Sequence, residues 1–259
     1  MMLNKIFNMK KASIIVVFFI ISVGLFSCIR GNSRLITTEQ SVSSFEGIDI
    51  RSSADVNYYP SSETKVIVTV DENLLKYVKI TVKNGILRID TKNGNYSFSK
   101  YTVDVYSPHL TEATISGSGS FDGKDKIVAT NFETKISGSG KIKGNFDCDK
   151  FTATISGSGK IDCKLECTDF NGKISGSGEI IFSGNTNNLD MKISGSGDFK
   201  GKSFKTDNAD INVSGSGNVH TWVENYLKAH VSGSGNIYYS GNPKIDFNGS
   251  GSGKLRSES

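Results

Sequence analysis

The sequence is poor in residues that interrupt or cross-link a chain. It has three prolines, one tryptophan, three histidines and four cysteines in 259 residues. Gly, Ser, Thr and Asn are abundant and sit in register with apolar residues. With proline so scarce, they read as turns of an ordered β structure and not as a flexible linker. His109, His220 and His230 are too scattered to hold zinc and read as exposed strand positions. An excess of one charge is missing as well. Thirty basic residues are spread among 26 acidic ones, for a net charge of +4, and no Lys/Arg-rich run follows the N-terminal segment, which argues against nucleic acid as a partner. No stretch keeps a helical apolar period; only Glu72 to Lys79 has the makings of a helical turn.

One long apolar run occurs, Ala12 to Phe26, behind Lys5, Lys10 and Lys11. Its length suits a signal-peptide core and is short for a membrane span. It ends in Leu25-Phe26-Ser27-Cys28, which resembles a bacterial lipobox: an aliphatic residue at −3, a small one at −1, then the cysteine that takes the lipid. Phe26 is bulkier than the usual occupant. Residues 1–27 are read as a lipoprotein signal peptide and Cys28 as the lipid attachment site, the alternatives being an ordinary signal peptide or an N-terminal anchor. Several acyl chains, at about 0.8 kcal/mol per buried methylene, hold such a protein firmly in a membrane. Ile29 to Arg34 contains no acidic cluster of the surface-export type, and no Asp follows Cys28. An outer-membrane lipoprotein facing the periplasm is the default expectation, with surface exposure open.

What is present is a repeat. Seven phrases read Ile/Val-Ser-Gly-Ser-Gly, starting at Ile115, Ile136, Ile155, Ile174, Ile193, Val213 and Val231, and an eighth, Ser250 to Gly253, has Gly249 in the aliphatic place. The steps between their first serines are 21, 19, 19, 19, 20, 18 and 18 residues. A step near 19 marks a solenoid in which each repeat is one coil. Counting from the first serine as zero, position −1 is Ile or Val in seven copies. Position +5 is always apolar, from Phe121 through Ile142 to Leu255. Position −5 holds Phe132, Phe151, Phe170, Leu189, Ala209 and Leu227, and position −3 is often small or apolar. Positions −5, −3 and −1 are expected to point inward along one strand and +5 to open the next inward row, with Ser-Gly-Ser-Gly as the corner between them. Coils about 4.8 Å apart give a rod of roughly 40 Å. The expected fold is all-β, a parallel β-helix; an antiparallel meander is the rival.

Upstream, Lys65–Val70, Val78–Val82, Ile86–Ile89 and Tyr101–Tyr106 read as strands, with a tight hairpin at Asn84-Gly85. The chain thus divides into the signal peptide (1–27), a tether (28–41), an N-terminal β-rich capping unit (42–110) and the coils (111–259). No capping helix follows Gly253, so the last coil is a candidate surface for self-association.

The Phe45–Ile50 opening, the Val66–Val70 strand with Asp71-Glu72-Asn73-Leu74-Leu75, Leu87-Arg88-Ile89, Val103–Pro108 and the Ser-Gly-Ser-Gly coils together resemble the head GIN-domain auto-transporter adhesin family of Gram-negative envelope proteins. The likeness spans about 42–255. It implies a right-handed β-helix and an adhesin-like, non-enzymatic role.

The residues themselves offer little chemistry. Polysaccharide-acting β-helices need carboxylates stacked on adjacent coils. Position +4 pairs Glu179 with Asp198 and position +6 scatters its acids, so no enzyme and no cofactor is expected. Cys148 and Cys167 both stand at +11, one coil apart, within reach of a disulfide or forming a buried reduced pair; Cys163 is at +7. Trp222, Tyr226, Tyr238 and Tyr239 gather in the last coils, as core cover or as a surface for stacking on sugar rings. Three functions remain: a lipoprotein binding a glycan or an envelope or host protein, a periplasmic structural lipoprotein, and, least favoured, a polysaccharide-acting enzyme.

Overall fold

The computed structural model describes residues 28–258; the signal peptide expected at 1–27 lies outside them. The first ten strands are β1 (Ile29–Arg30), β2 (Leu35–Gln40), β3 (Gly47–Ile50), β4 (Asp55–Pro60), β5 (Lys65–Asp71), β6 (Val78–Lys83), β7 (Ile86–Thr91), β8 (Tyr96–Ser97), β9 (Tyr101–Ser107) and β10 (Glu112–Ile115). A single 3-10 turn, Glu72–Tyr77, falls where the sequence allowed one. The coils follow as β11 (Ser120–Ile136), β12 (Lys141–Gly157), β13 (Lys160–Gly176), β14 (Glu179–Gly195), β15 (Asp198–Gly215) and β16 (Val219–Val231). The chain closes with β17 (Ile237–Ser240), β18 (Lys244–Gly249) and β19 (Leu255–Ser257).

From β10 to β19 every pairing with the next coil is parallel, so the fold is a β-solenoid of about eight turns and not a meander. The inward rows are those the repeat dictates. Ile136, Ile155 and Ile174 at −1 and Ile142, Ile161 and Ile180 at +5 are fully buried. Each such side chain contributes about 1.5–3 kcal/mol by leaving water. A run of phenylalanines threads the axis: Phe132 lies 4.6 Å from Phe146, Phe170 4.9 Å from Phe182, and Phe182 5.6 Å from Phe204.

The corner explains its own composition. Gly176 has φ +139°, and a Cβ there would lie 2.6 Å from the Gly157 carbonyl oxygen one coil below. A Cβ on Gly178 would lie 2.5 Å from Ile155 Cγ2. Both glycines are thus fixed by the distance between coils. The serine amides close the stack, as in Ser177 N–H to Gly157 O at 3.0 Å. Differences in coil length are absorbed elsewhere. Register shifts occur at Asp122/Lys126, Ile181/Ser183, Gly201/Lys205 and Thr206/Asn208, all on the far side of the coil from Ser-Gly-Ser-Gly.

The N-terminal strands continue the stack. β3 and β4 lie parallel on β10 and β11, with Ile50 opposite Ile115 and Val56 opposite Phe121. Arg51 to Ala54 therefore occupies the corner as a degenerate copy of the phrase. β7 and β9 form the next layer, and the chain then reverses: β6 pairs antiparallel with β7, and β5 with β9. Asn84 (φ 53°) and Gly85 (φ 75°) make the expected hairpin turn. Within residues 28–41, expected as a tether, two strands pair with the N-terminal unit. β1 joins β8, and β2 lies antiparallel on β5 as an edge strand. Its alternation is weak because neither face is fully buried. The buried Asp71 carboxylate pins this segment, accepting Ser33 N–H (2.8 Å), Ser99 N–H (2.8 Å) and Ser99 Oγ–H (2.5 Å).

Candidate functional site

The residues singled out by the sequence do not form one site. Cys28 is exposed at the start of the described chain. Cys148 and Cys167 face each other across β12 and β13 as register partners, with both thiols free. Burial pushes the Cys148 thiol up to about 12 and Cys167 up to about 11, and raises Cys163 further still. Cys167 Sγ donates to Thr186 Oγ1 at 3.3 Å.

The four aromatics diverge. Tyr238 stacks on His220 with centroids 4.6 Å apart, and His220 Nδ1 lies 3.2 Å from Glu258 Oε2 in the C-terminal tail. Trp222 donates its indole N–H to Glu224 (2.8 Å) and is covered by the Lys205 ammonium 4.7 Å from the ring. Tyr239 packs partly against the core. Tyr226 lines a groove of about 340 Å³ along the outside of β13 to β16.

That groove is built by the repeat. Position −6 carries Asp169, Asn188, Asn208 and Tyr226 on four successive coils, each the register partner of the next. Asn188 Nδ2 donates to Asp169 Oδ1 (2.9 Å) and Asn208 Nδ2 to Asn188 Oδ1 (3.3 Å). Position −4 adds Asn171, Asp190, Asp210 and Lys228. Phe170, Leu189 and Ala209, at −5, run between the two rows with their side chains turned into the core. The result is two rows of amides and carboxylates about 4.8 Å apart along the rod, closed by an aromatic ring. These residues stand outside the +4 and +6 rows; recurrence of Asn and Asp at −6 and −4 is the signal in the sequence that locates them.

The carboxylates are engaged. Asp210 accepts from Lys228 Nζ at 2.8 Å, and this hydrogen bond raises the lysine above its usual value. Asp190 accepts from Lys192 (3.2 Å). At +4, Glu179 is gripped by Lys200 and by Lys160 (2.9 Å), whose hydrogen bonds hold its carboxyl below the usual range. Asp198 accepts Asn218 N–H at 2.9 Å. Such acids orient hydrogen-bonding partners and are poorly placed to exchange protons with a substrate. Among the described residues, no three His, Cys, Asp or Glu side chains converge as a metal site, and no helix is long and apolar enough to cross a membrane.

Comparison with known proteins agrees with this architecture. No curated protein matches the chain. Solved structures that resemble it include a putative adhesin of Parabacteroides distasonis, at 28% identity and TM-score 0.85, covering 89% of this chain and 99% of that one. A protein of the same organism described as a putative lipid binding protein is 29% identical, with TM-score 0.83 over 89% and 99% of the two chains. A putative adhesin of Parabacteroides merdae shares the fold at 24% identity and TM-score 0.84, over 89% and 99%. The family model for the "putative auto-transporter adhesin, head GIN domain" matches residues 44–243, and the chain belongs to that family.

Proposed function

We propose that this protein is a non-enzymatic, adhesin-like lipoprotein of the cell envelope that binds a glycan in the groove over β13 to β16. The observation that carries the reading is the ladder Asp169–Asn188–Asn208 ending at Tyr226, all four of which line the groove. Side-chain amides and carboxylates match the paired donors and acceptors of vicinal hydroxyls, and an aromatic ring offers a face to the apolar side of a sugar. One coil advances about 4.8 Å, close to the length of a sugar residue, so a linear glycan lies along the rod. The family's description as an adhesin supports an envelope or surface protein. Leu25-Phe26-Ser27-Cys28 supports anchoring through a lipid on Cys28, in the outer membrane.

The test is a glycan array with the soluble chain 29–259, followed by titration of any hit. Tyr226→Ala and Asn208→Ala are expected to weaken binding about 10-fold or more, as loss of a central anchor does. Trp222→Ala and Tyr238→Ala are expected to leave it unchanged. No glycan bound, together with protection of the protein from protease in intact cells, would overturn the adhesin reading in favour of a periplasmic structural lipoprotein. Replacing Cys28 with alanine in cells is expected to release the protein from the membrane fraction.

A further inference from the structure

The layer beneath the first full coil is incomplete. At β11, Ser120–Gly123 is covered by β4 and Glu133–Ile136 by β10. Between them, Lys126–Asn131 pairs with Asn145–Lys150 of β12 on one side, and no pairing of the described residues covers the other. The reason is topological. After Pro60 the chain leaves the coil path to form β5, and it returns only at β10, so the strand that would complete that layer does not exist. The gap is a cavity of about 1030 Å³ between this edge and the wall formed by His109 to Glu112. Val128 stands 70% exposed in it. An open strand edge of this kind is a template for another strand, and proteins otherwise cover or bend such edges.

The surroundings select the occupant. Glu46, Glu112, Glu133, Asp147 and Asp149 line the cavity, against Lys150 alone among lysines and arginines. Lys126 reaches in to pair with Asp147, which leaves the other four carboxylates to face an incoming chain. Burial, and then the neighbouring charges of Glu133 and Asp49, raise the Glu112 carboxyl above its usual value.

We propose that this edge receives an extended, cationic segment of a partner protein, added as a strand beside Lys126–Asn131. Main-chain hydrogen bonds supply the affinity and the carboxylate rim the preference for lysine or arginine at alternate positions. Lys150 lines both this cavity and the near end of the groove, but Tyr226 stands at the groove's far end on β16, and the strand reading does not rest on the glycan reading.

The experiment is fluorescence anisotropy of the soluble chain 29–259 with a labelled peptide alternating lysine with valine and threonine, and with the same peptide carrying glutamate for lysine. The lysine peptide is expected to bind at least about 10-fold more tightly at low salt, the difference shrinking towards physiological ionic strength, where the screening length is about 8 Å. The double variant Glu112→Lys, Glu133→Lys is expected to reverse the preference without touching the core. Val128→Pro is expected to weaken binding about fivefold to tenfold through one lost backbone hydrogen bond. Hydrogen exchange of Lys126–Asn131 in the wild type should slow when the peptide is added, a readout that does not depend on any variant folding. Tyr226→Ala should leave all of this unchanged. Equal binding of both peptides, or unaltered exchange at the edge, overturns the proposal. So does a concentration-dependent dimer that protects the same amides without peptide, since the edge then belongs to a second copy of the chain.

Discussion

Replacing Gly176 with alanine tests whether the distance between coils dictates the repeated phrase. The new Cβ would sit 2.6 Å from Gly157 O and 3.2 Å from Gly157 N, both backbone atoms of the coil below, which cannot rotate away. The residue also holds φ +139°. Forcing a side chain into such a conformation costs about 1–3 kcal/mol, and wedging a methyl into packed structure about 1–3 kcal/mol more. A total near 4 kcal/mol is expected. Gly85 is the control. It has φ +75° but no atom within 4 Å of a built Cβ, so Gly85→Ala bears only the left-handed strain, about 1–2 kcal/mol. Urea denaturation of the soluble chain, read as a shift in midpoint at constant m-value, separates the two. If Gly176→Ala proves no more costly than Gly85→Ala, the coils are free to spread, and contact between corners is not what fixes the glycine.

Phe170→Ala removes a ring that touches Phe151, Phe182, Phe199 and Phe204, and is expected to cost about 3–5 kcal/mol in the same assay. Asp71→Asn puts an amide N–H₂ where one oxygen of the carboxylate now accepts, and is expected to cost about 2 kcal/mol and to speed hydrogen exchange in β2. Burial alone would raise the Asp71 carboxyl, but the Ser99, Ser33 and Lys100 bonds outweigh it and hold it below its ordinary 3.8. Its stabilisation is therefore present above pH 3.8 and lost as the pH falls through the lower folded value, a loss the Asn variant should not show. Cys148 and Cys167, raised to about 12 and 11, are protonated at pH 8, so iodoacetamide is expected to label them in the native protein far more slowly than in urea, followed by mass spectrometry. Rapid native labelling would show that this part of the coil opens.

The parts of the fold readable from sequence are those where spacing is constant. Rows −5, −3, −1 and +5 flank Ser-Gly-Ser-Gly at fixed distances, so spacing alone places Phe151, Ala153, Ile155 and Ile161 inside, where they are buried. It does not place the third inward row. Phe146 and Leu165 stand at +9, but Phe204, their equivalent, stands at +10, because a register shift intervenes. The degenerate corner Arg51–Ala54 has neither glycine, and only its hydrogen bonds to the first coil, such as Ser116 N–H to Ile50 O at 2.9 Å, reveal it. The groove is hidden for another reason. The aromatic cluster in the sequence groups Trp222, Tyr226, Tyr238 and Tyr239, yet Trp222 is engaged by Lys205 and Glu224, Tyr238 by His220 and Tyr239 by the core, which leaves Tyr226 on the groove. The polar residues beside Tyr226 come from coils up to about 60 residues upstream.

The register shifts all fall on the side of the coil away from the serine-glycine corner, and this divides the molecule into a constant spine and a variable margin. A codon gained or lost near Asp122–Lys126 or Gly201–Asn208 bulges one patch of surface, while each later coil still lands its isoleucine on the isoleucine beneath. The same change inside Ser-Gly-Ser-Gly would throw every following coil out of step. A rod assembled this way can acquire new surface relief by small insertions and deletions while its interior stays as it was, much as pages of unequal width can share one binding.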